Sequence, residues 1–503
     1  MNIKLIFKSL GNILKLEAIL MLLPLIVSLI YEDNNWYSFL IPAVACFGVG
    51  VACSFLKPDR KTLYAKEGFI VVGLCWIVLS LFGCVPFMIS QEIPNFFDAF
   101  FETVSGFTTT GSTILTNVEA MSKSMLFWRS FTHWIGGMGI LVFVLAFLPK
   151  SEGQNIHILR AESTGPQVGK LVSKLKLTAR ILYLIYIAFT ILEVCLLYFG
   201  DKVFGNDGIY KMDLFSSLVH TFGTVGTGGF GIKATGLAEY STYSQMVIAV
   251  FMLLCGINFN VFYLILIGKF KQVLKCEEMW WYLGFIAVST VSIAFNIYYA
   301  VDNLALGIAF KDSFFQVTSI ITSTGFATIP RFSDWPAFSQ TILWVLMFVG
   351  ACAGSTGGGI KVSRVVILLK TVKREIKKLV HPNSVSNIKM DGQTLDESVV
   401  KGVSSYFAVY ITIFIICILI LSFNGFGFQT NVTAVTTCLN NIGPGLDAGL
   451  DAMGTNELNL GPSGSFAGFS SLSKFTLSAA MLIGRLEIYP ILILFNPKIW
   501  MNK

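Results

Sequence analysis

Four short stretches of this chain carry the residues that could do chemistry. The clearest is Asp312–Phe326, DSFFQVTSIITSTGF, where an aspartate precedes an apolar run that closes on a Thr-Gly turn. Asp98–Ser112 (DAFFETVSGFTTTGS) and Asp213–Phe230 (DLFSSLVHTFGTVGTGGF) repeat it, and Gln429–Gly445 (QTNVTAVTTCLNNIGPG) is a looser fourth copy. Such turns offer backbone carbonyl oxygens. Glycine lets a chain turn its carbonyls inward, and rings of carbonyls can replace the hydration shell of a cation. The glycines concerned are Gly111, Gly228 or Gly229, Gly325 and Gly443. Gly111 and Gly325 each follow their aspartate by thirteen residues. In the second copy that spacing points to Gly226, whereas the Gly-Phe ending shared with Gly325-Phe326 points to Gly229. Asp98, Asp213 and Asp312 are each placed to cap a helix N-terminus with a carboxylate. A helix between such a cap and such a turn is too short to cross a bilayer. Its irregular continuation is tolerated at that depth only along a water-filled path or inside protein, and its negative C-terminal end favours a cation.

Two further features lie inside apolar runs. Gly354-Ser355-Thr356-Gly357-Gly358-Gly359-Ile360-Lys361 follows an apolar run of about 16 residues, roughly 24 Å of helix and short of a full crossing. The helix is therefore expected to break in the membrane at the glycine cluster and resume as a basic helix over 361–380. The cluster departs from a phosphate-binding loop, GxxxxGK[ST], because Ile360 separates Gly359 from Lys361. A gate and a plain packing break both fit it. Arg485 sits within the apolar run Leu472–Phe495, and Glu487, two residues on, does not face it on a helix. It is either a positive charge beside a pore, setting a barrier for the ion, or half of an interhelical pair. Arg129 and His133, beside Trp128 and Trp134, read as an interfacial cluster at the outer end of a span. Asn258 and Asn260 read as helix–helix hydrogen-bonding groups or as pore lining. No catalytic constellation stands out. His133, His157, His220 and His381 are dispersed without HExxH spacing, and the ten cysteines form no CxxC pair. The expectation is a protein that is not an enzyme and carries no cofactor, its cysteines serving as small buried packing residues.

The elements that must hold these stretches follow from composition. Hydrophobic residues make up 54% of the 503 and charged ones 13%, against about 25% charged in soluble domains; mean hydropathy is +0.71. The expected fold class is an all-α polytopic membrane protein. Apolar spans read near 10–31, 36–56, 67–90, 125–148, 179–200, 242–268, 280–301, 338–353, 400–423 and 471–495. The four Thr/Gly stretches fall between spans, which makes ten transmembrane helices and four re-entrant loops. The organisation is an N-terminal helix pair (1–60) and four span–loop–span repeats around one pore: 61–150, 151–275, 276–392 with the broken helix, and 393–503. One set of connections is basic (Lys57 to Lys61, Lys170 to Arg180, Lys269 to Lys271, Lys361 to Lys389, and Lys498 and Lys503). The other carries Glu32, Asp33, Asp98, Glu102, Glu119, Asp213, Asp312, Asp334 and Asp447. Basic connections stay in the cytoplasm, so both termini are expected there. The net charge of +7 then reports topology and implies no nucleic-acid partner.

Particular strings resemble a known family. SGFTTTGSTIL (105–115), FWRSFTHWIGGMGILVF (127–143), CGINFN (255–260), STGFAT (323–328), GSTGGGIKVSR (354–364), LNNIGPG (439–445) and LIGRLEIYP (482–490) are similar to the Trk-type membrane subunits, the TrkH/TrkG type, of the Trk/Ktr/HKT potassium transporter superfamily. The resemblance covers nearly the whole chain, and the spans before residue 60 match the N-terminal pair that Ktr subunits lack. It implies potassium uptake across a bacterial inner membrane by a homodimer whose protomers each hold a pore. It also implies a cytosolic, nucleotide-binding, TrkA-like ring as gating partner. It maps a filter onto Thr109-Thr110-Gly111, Thr227-Gly228-Gly229, Ser323-Thr324-Gly325 and Asn441-Ile442-Gly443, with potassium the substrate there. It suggests Gly354–Lys361 as the intramembrane gate and Arg485 as the pore arginine. All four loops keep the glycine that sodium-permeable members often replace by serine. A secondary transporter coupling potassium to protons or sodium is the alternative, with Glu193 the nearest candidate for a proton relay.

Overall fold

The computed structural model describes residues 1–58, 64–137, 139, 175–301, 304–384, 386–446 and 458–497. Arg60, Lys61, the end of the expected span 125–148, His157, Lys170, Asp447, Lys498 and Lys503 lie outside the described residues.

Among the described residues six helices are long and apolar enough to cross a membrane: Ile3–Tyr31, Trp36–Ser54, Lys66–Ile89, Ala179–Phe204, Glu277–Ala300 and Glu397–Asn424. Their outward faces carry large apolar side chains, among them Val44, Phe55, Leu184, Val288 and Leu419, as a hydrocarbon solvent requires.

The other four expected spans are built differently. Their helices Lys123–Gly137, Thr242–Cys255, Ala337–Val349 and Ser471–Arg485 run only 13 to 15 residues. The chain bends by 89° between Thr242–Cys255 and the following Phe259–Leu266. Only the third of these breaks is visible in the sequence, and it begins earlier than expected, at Gly350. The cause of the others is packing. A Cβ at Gly136 would run into the Phe107 carbonyl, and one at Gly484 into the Leu439 carbonyl. Lys123–Gly137 and Ser471–Arg485 therefore press, near their C-terminal ends, on the C-terminus of a shorter helix.

Those shorter helices are Phe96–Phe107, Leu214–Val225, Leu306–Ile321 and Phe428–Asn440, of 12, 12, 16 and 13 residues. At 1.5 Å per residue they span roughly 18–24 Å, less than the hydrocarbon core of about 30 Å. We call them half-helices. Each packs against the following helix of its own unit and also against its counterpart in the unit before: Phe96–Phe107 on Ser471–Arg485, Leu214–Val225 on Lys123–Gly137, Leu306–Ile321 on Thr242–Cys255, and Phe428–Asn440 on Ala337–Val349. The four units thus close into a circle.

One of the three aspartate caps is present. Asp213 caps Leu214–Val225, accepting the Ser216 N–H at 2.7 Å. The first half-helix starts earlier and is capped by Asn95, so Asp98 lies in its first turn and accepts from Lys474 at 2.5 Å. Asp312 is mid-helix and pairs with Lys311 at 3.2 Å. In both cases the helix starts before the expected cap, at Asn95 and at Ala305. All ten cysteines are free; seven, including Cys46, Cys352 and Cys438, are buried as expected of packing residues, whereas Cys195 is exposed.

A short hairpin pairs Lys389–Met390 with Gln393–Thr394. Its turn is Asp391-Gly392, with φ of 52° and 77°, and an Asp-Gly pair with both φ positive is a type I′ hairpin signal.

Candidate functional site

The four half-helices end alike. The N–H of Thr110 donates to the Ser105 carbonyl (2.8 Å), Gly228 to Gly223 (2.7 Å), Thr324 to Ser319 (2.9 Å) and Ile442 to Thr437 (3.0 Å). The residue before each donor is left-handed: Thr109, Thr227, Ser323 and Asn441 have φ of 54°, 56°, 56° and 55°. This is a Schellman closure, which ordinarily uses glycine. Left-handed β-branched residues are true outliers, and such strain costs about 1–3 kcal/mol per residue. One residue beyond each donor, Gly111, Gly229, Gly325 and Gly443 again have positive φ, 83°, 78°, 84° and 102°. On backbone geometry Gly229, and not Gly226, is the counterpart of Gly111 and Gly325. The fourth turn shares the register despite its different sequence.

The four turns touch in order. A Cβ on Gly111 would strike the Gly228 carbonyl, one on Gly229 the Thr324 carbonyl, one on Gly325 the Ile442 carbonyl, and one on Gly443 would lie 2.7 Å from the Thr110 carbonyl. Each glycine therefore lies against the middle carbonyl of the next turn, and the fourth closes on the first. Two side chains brace that last junction. Ser112 Oγ donates to the Gly443 carbonyl at 2.9 Å, and Asn441 Nδ2 donates to Thr110 Oγ1 at 2.9 Å. On one side of the ring lies a cavity lined by all four glycines and by Lys233. The Lys233 ammonium is held 3.3 Å from Glu119 and 4.1 Å from the centre of the Tyr210 ring.

Behind the first two turns sits a polar brace. Arg129 and His133 are 3% and 0% exposed, which corrects their reading as an interfacial cluster. Arg129 Nε pairs with Glu102 at 2.5 Å, its Nη1 donates to the Gly231 carbonyl at 3.0 Å, and its guanidinium stacks 3.6 Å from the Phe230 ring. Glu102 also accepts from Thr113 Oγ1 and the Ile114 N–H. It is buried and belongs to no acidic outer surface, another correction. His133 Nε2 accepts the Phe230 N–H at 3.3 Å, so its proton is on Nδ1, which donates to the Gly106 carbonyl at 2.7 Å. The ring of His133 fills the space that a Cβ on Gly228 would need.

On the half-helix side of the ring lies the irregular segment between Val349 and Val362. Gly358 N–H donates to Ser323 Oγ at 2.5 Å, and a Cβ on Gly357 would lie 2.8 Å from the Thr322 carbonyl. Lys361 is left-handed (φ 81°), and its ammonium donates to the Gly357 carbonyl. The Gly354 carbonyl accepts from Phe259 N–H at 3.0 Å, and the Ser355 hydroxyl turns back to Cys352 at 2.6 Å. Gly359 is also left-handed, at 77°. Arg485 reaches this segment from the fourth unit. Its Nη1 donates to the Thr356 carbonyl at 2.7 Å and its Nη2 to the carbonyls of Gly136 (2.6 Å) and Gly137 (2.9 Å). It thereby ties units one, three and four together beside the ring. Asn258 caps Phe259–Leu266 at the bend, accepting the Asn260 N–H at 2.9 Å. Among the described residues no cluster of three or more His, Cys, Asp or Glu could hold a metal ion.

Neither the Glu102–Arg129–His133 brace nor the Ser323 hydroxyl as an anchor for Gly358 is among the sites expected from sequence. The available signal for the brace was a lone glutamate within an otherwise apolar half-helix.

A family model described as TrkH, cation transport protein, matches residues 37–502. The chain is 33% identical over 510 residues to the Trk system potassium uptake protein TrkH of Escherichia coli (strain K12), covering 98% of this chain and 99% of that one. It is 30% identical over 504 residues to the Trk system potassium uptake protein TrkG of the same organism, covering 99% of each. The crystal structure of the potassium transporter TrkH from Vibrio parahaemolyticus is similar over 100% of both chains, with a TM-score of 0.86 and 31% identity.

Proposed function

The chain belongs to the family of TrkH cation transport proteins, and on that footing we propose that it is a membrane subunit for potassium uptake. The observation that carries the reading is the closed ring of four equivalent turns. An extended chain would send successive carbonyls to opposite sides, and two left-handed positions per turn interrupt that alternation. The filter would then consist of Thr109-Thr110-Gly111, Thr227-Gly228-Gly229, Ser323-Thr324-Gly325 and Asn441-Ile442-Gly443, with potassium held by backbone carbonyls. The cavity on the glycine side is the outer vestibule. In this reading the chain has ten spans and four re-entrant loops, both termini are cytoplasmic, and the repeats are 61–150, 151–275, 276–392 and 393–503 after the N-terminal pair.

Purified protein in liposomes is expected to pass potassium and rubidium in preference to sodium, measured as tracer flux against impermeant controls. Equal sodium and potassium flux would sink the selectivity part of the proposal.

The Gly354–Lys361 segment is the gate in this reading, with Arg485 holding it across the path. Removal of Gly357 to Gly359 is expected to raise rubidium flux, and an unchanged rate would count against a gate there. The relatives belong by name to a Trk system, which supports partner subunits here too: a second copy of this chain, and a cytosolic nucleotide-binding ring on the basic face.

A coupled potassium transporter is the second reading, favoured by one observation. Glu193 is 0% exposed and lies beside Thr224 in the second half-helix. Coupling would shift the reversal potential away from the potassium equilibrium value in a proton or sodium gradient, whereas a simple filter would leave it there.

A further inference from the structure

Glu278 brackets the glycine-rich segment. One of its carboxylate oxygens, Oε1, accepts the Ala353 N–H at 2.7 Å and the Ser363 N–H at 3.0 Å. These two donors flank the segment on either side, so a single oxygen ties its ends together. Glu278 is buried, and it lies in the first turn of Glu277–Ala300, where the helix dipole favours a carboxylate. The neighbouring residue faces the other way. Glu277 pairs with Lys370 at 2.5 Å, and its N–H donates to Asp391 in the hairpin turn at 2.7 Å. Lys370 also donates to the Lys389 carbonyl at 2.7 Å. Two consecutive residues thus connect the hairpin on the basic face to the segment beside the ring.

We propose that Glu278 is the positioning residue that holds the Gly354–Lys361 segment closed against the third and fourth turns, with Glu277 linking the same helix start to the hairpin. This rests on the reading of the segment as a gate. Without the bracket the segment keeps its contacts to Ser323 and Arg485 and the Val362 N–H bond to the Ala351 carbonyl at 3.1 Å, but loses the carboxylate that joins Ala353 to Ser363. Losing the two hydrogen bonds corresponds to roughly a tenfold change in the open population.

The test is rubidium flux into liposomes holding the full-length protein with no partner added. Glu278→Ala is expected to raise flux roughly tenfold with the rubidium-to-sodium ratio kept, a gain that mere destabilisation would not produce. Glu278→Gln retains an acceptor oxygen and is expected to stay near the parent rate. Ser363→Pro removes one donor in the first turn of Val362–Val380, where proline is tolerated, and is expected to give a smaller rise. It also serves if the alanine variant fails to fold. Unchanged flux in both Glu278→Ala and Ser363→Pro, alongside a rise on removing Gly357 to Gly359, overturns the role of Glu278 and leaves the gate intact. A glutamine variant as leaky as the alanine one also overturns it. If the deletion too leaves flux unchanged, the gate reading falls and this proposal with it.

Discussion

Alanine at Gly325 is expected to lower rubidium flux by at least about tenfold and to erode discrimination against sodium. Left-handed backbone costs an L-residue about 1–2 kcal/mol, which alone is close to a tenfold effect. The steric conflict adds to it. The new Cβ would strike the Ile442 carbonyl, with Pro444 Cδ 2.8 Å away. Because the turns touch in a circle, relief of that conflict must move a carbonyl of the fourth turn, so rate and selectivity are expected to change together. Gly307→Ala is the matched control. It lies in the same half-helix, its φ is not positive, and a Cβ there meets nothing within 4 Å. Paired rubidium and sodium uptake in liposomes compares the two, and parent-like behaviour of Gly325→Ala would remove that glycine from the filter.

The second large effect is expected at the brace behind the first two turns. Removing one partner of a buried ion pair typically costs about 3–5 kcal/mol, because the other charge is left uncompensated. Arg129→Ala should therefore sharply lower the unfolding temperature in detergent. Glu102→Ala should do so at least as strongly, since it also strips the acceptor from the Ile114 N–H and the Thr113 hydroxyl. Glu102→Gln keeps an acceptor for those groups and should be milder. Combining Arg129→Met with Glu102→Gln should recover stability relative to Arg129→Met alone, because the orphaned carboxylate is gone. Thermal unfolding followed by size-exclusion recovery checks the order, and a parent-like Arg129→Ala would show that the pair is not structural.

Much of this molecule is legible in local sequence. Apolar length against bilayer thickness identifies the helices, and the basic cluster pattern organises their connections. The repeated Thr/Gly endings mark the four turns. Gly354–Lys361 announces its break because a 16-residue apolar run, about 24 Å long, cannot cross alone. Helix starts are less legible. An aspartate before an apolar stretch is a good cap candidate, yet Asp98 and Asp312 lie inside helices that found earlier starts at Asn95 and Ala305. The breaks after Cys255 and Arg485 carry no local mark either, since a glycine in an apolar helix is unremarkable until another backbone presses on it.

The sequence by itself determined the membrane-spanning class, the fourfold repeat and the glycines at which the first, third and fourth turns end. These depend on hydrophobic length and on the backbone freedom of single residues, both local properties. Only the tertiary structure decided that Gly229 is the second counterpart, that Glu102 answers Arg129, and that the fourth turn closes on the first through Asn441 and Thr110. Those outcomes depend on which buried polar group finds which partner. In a medium without water that choice is enforced by the cost of an unpaired group, and it joins residues hundreds of positions apart.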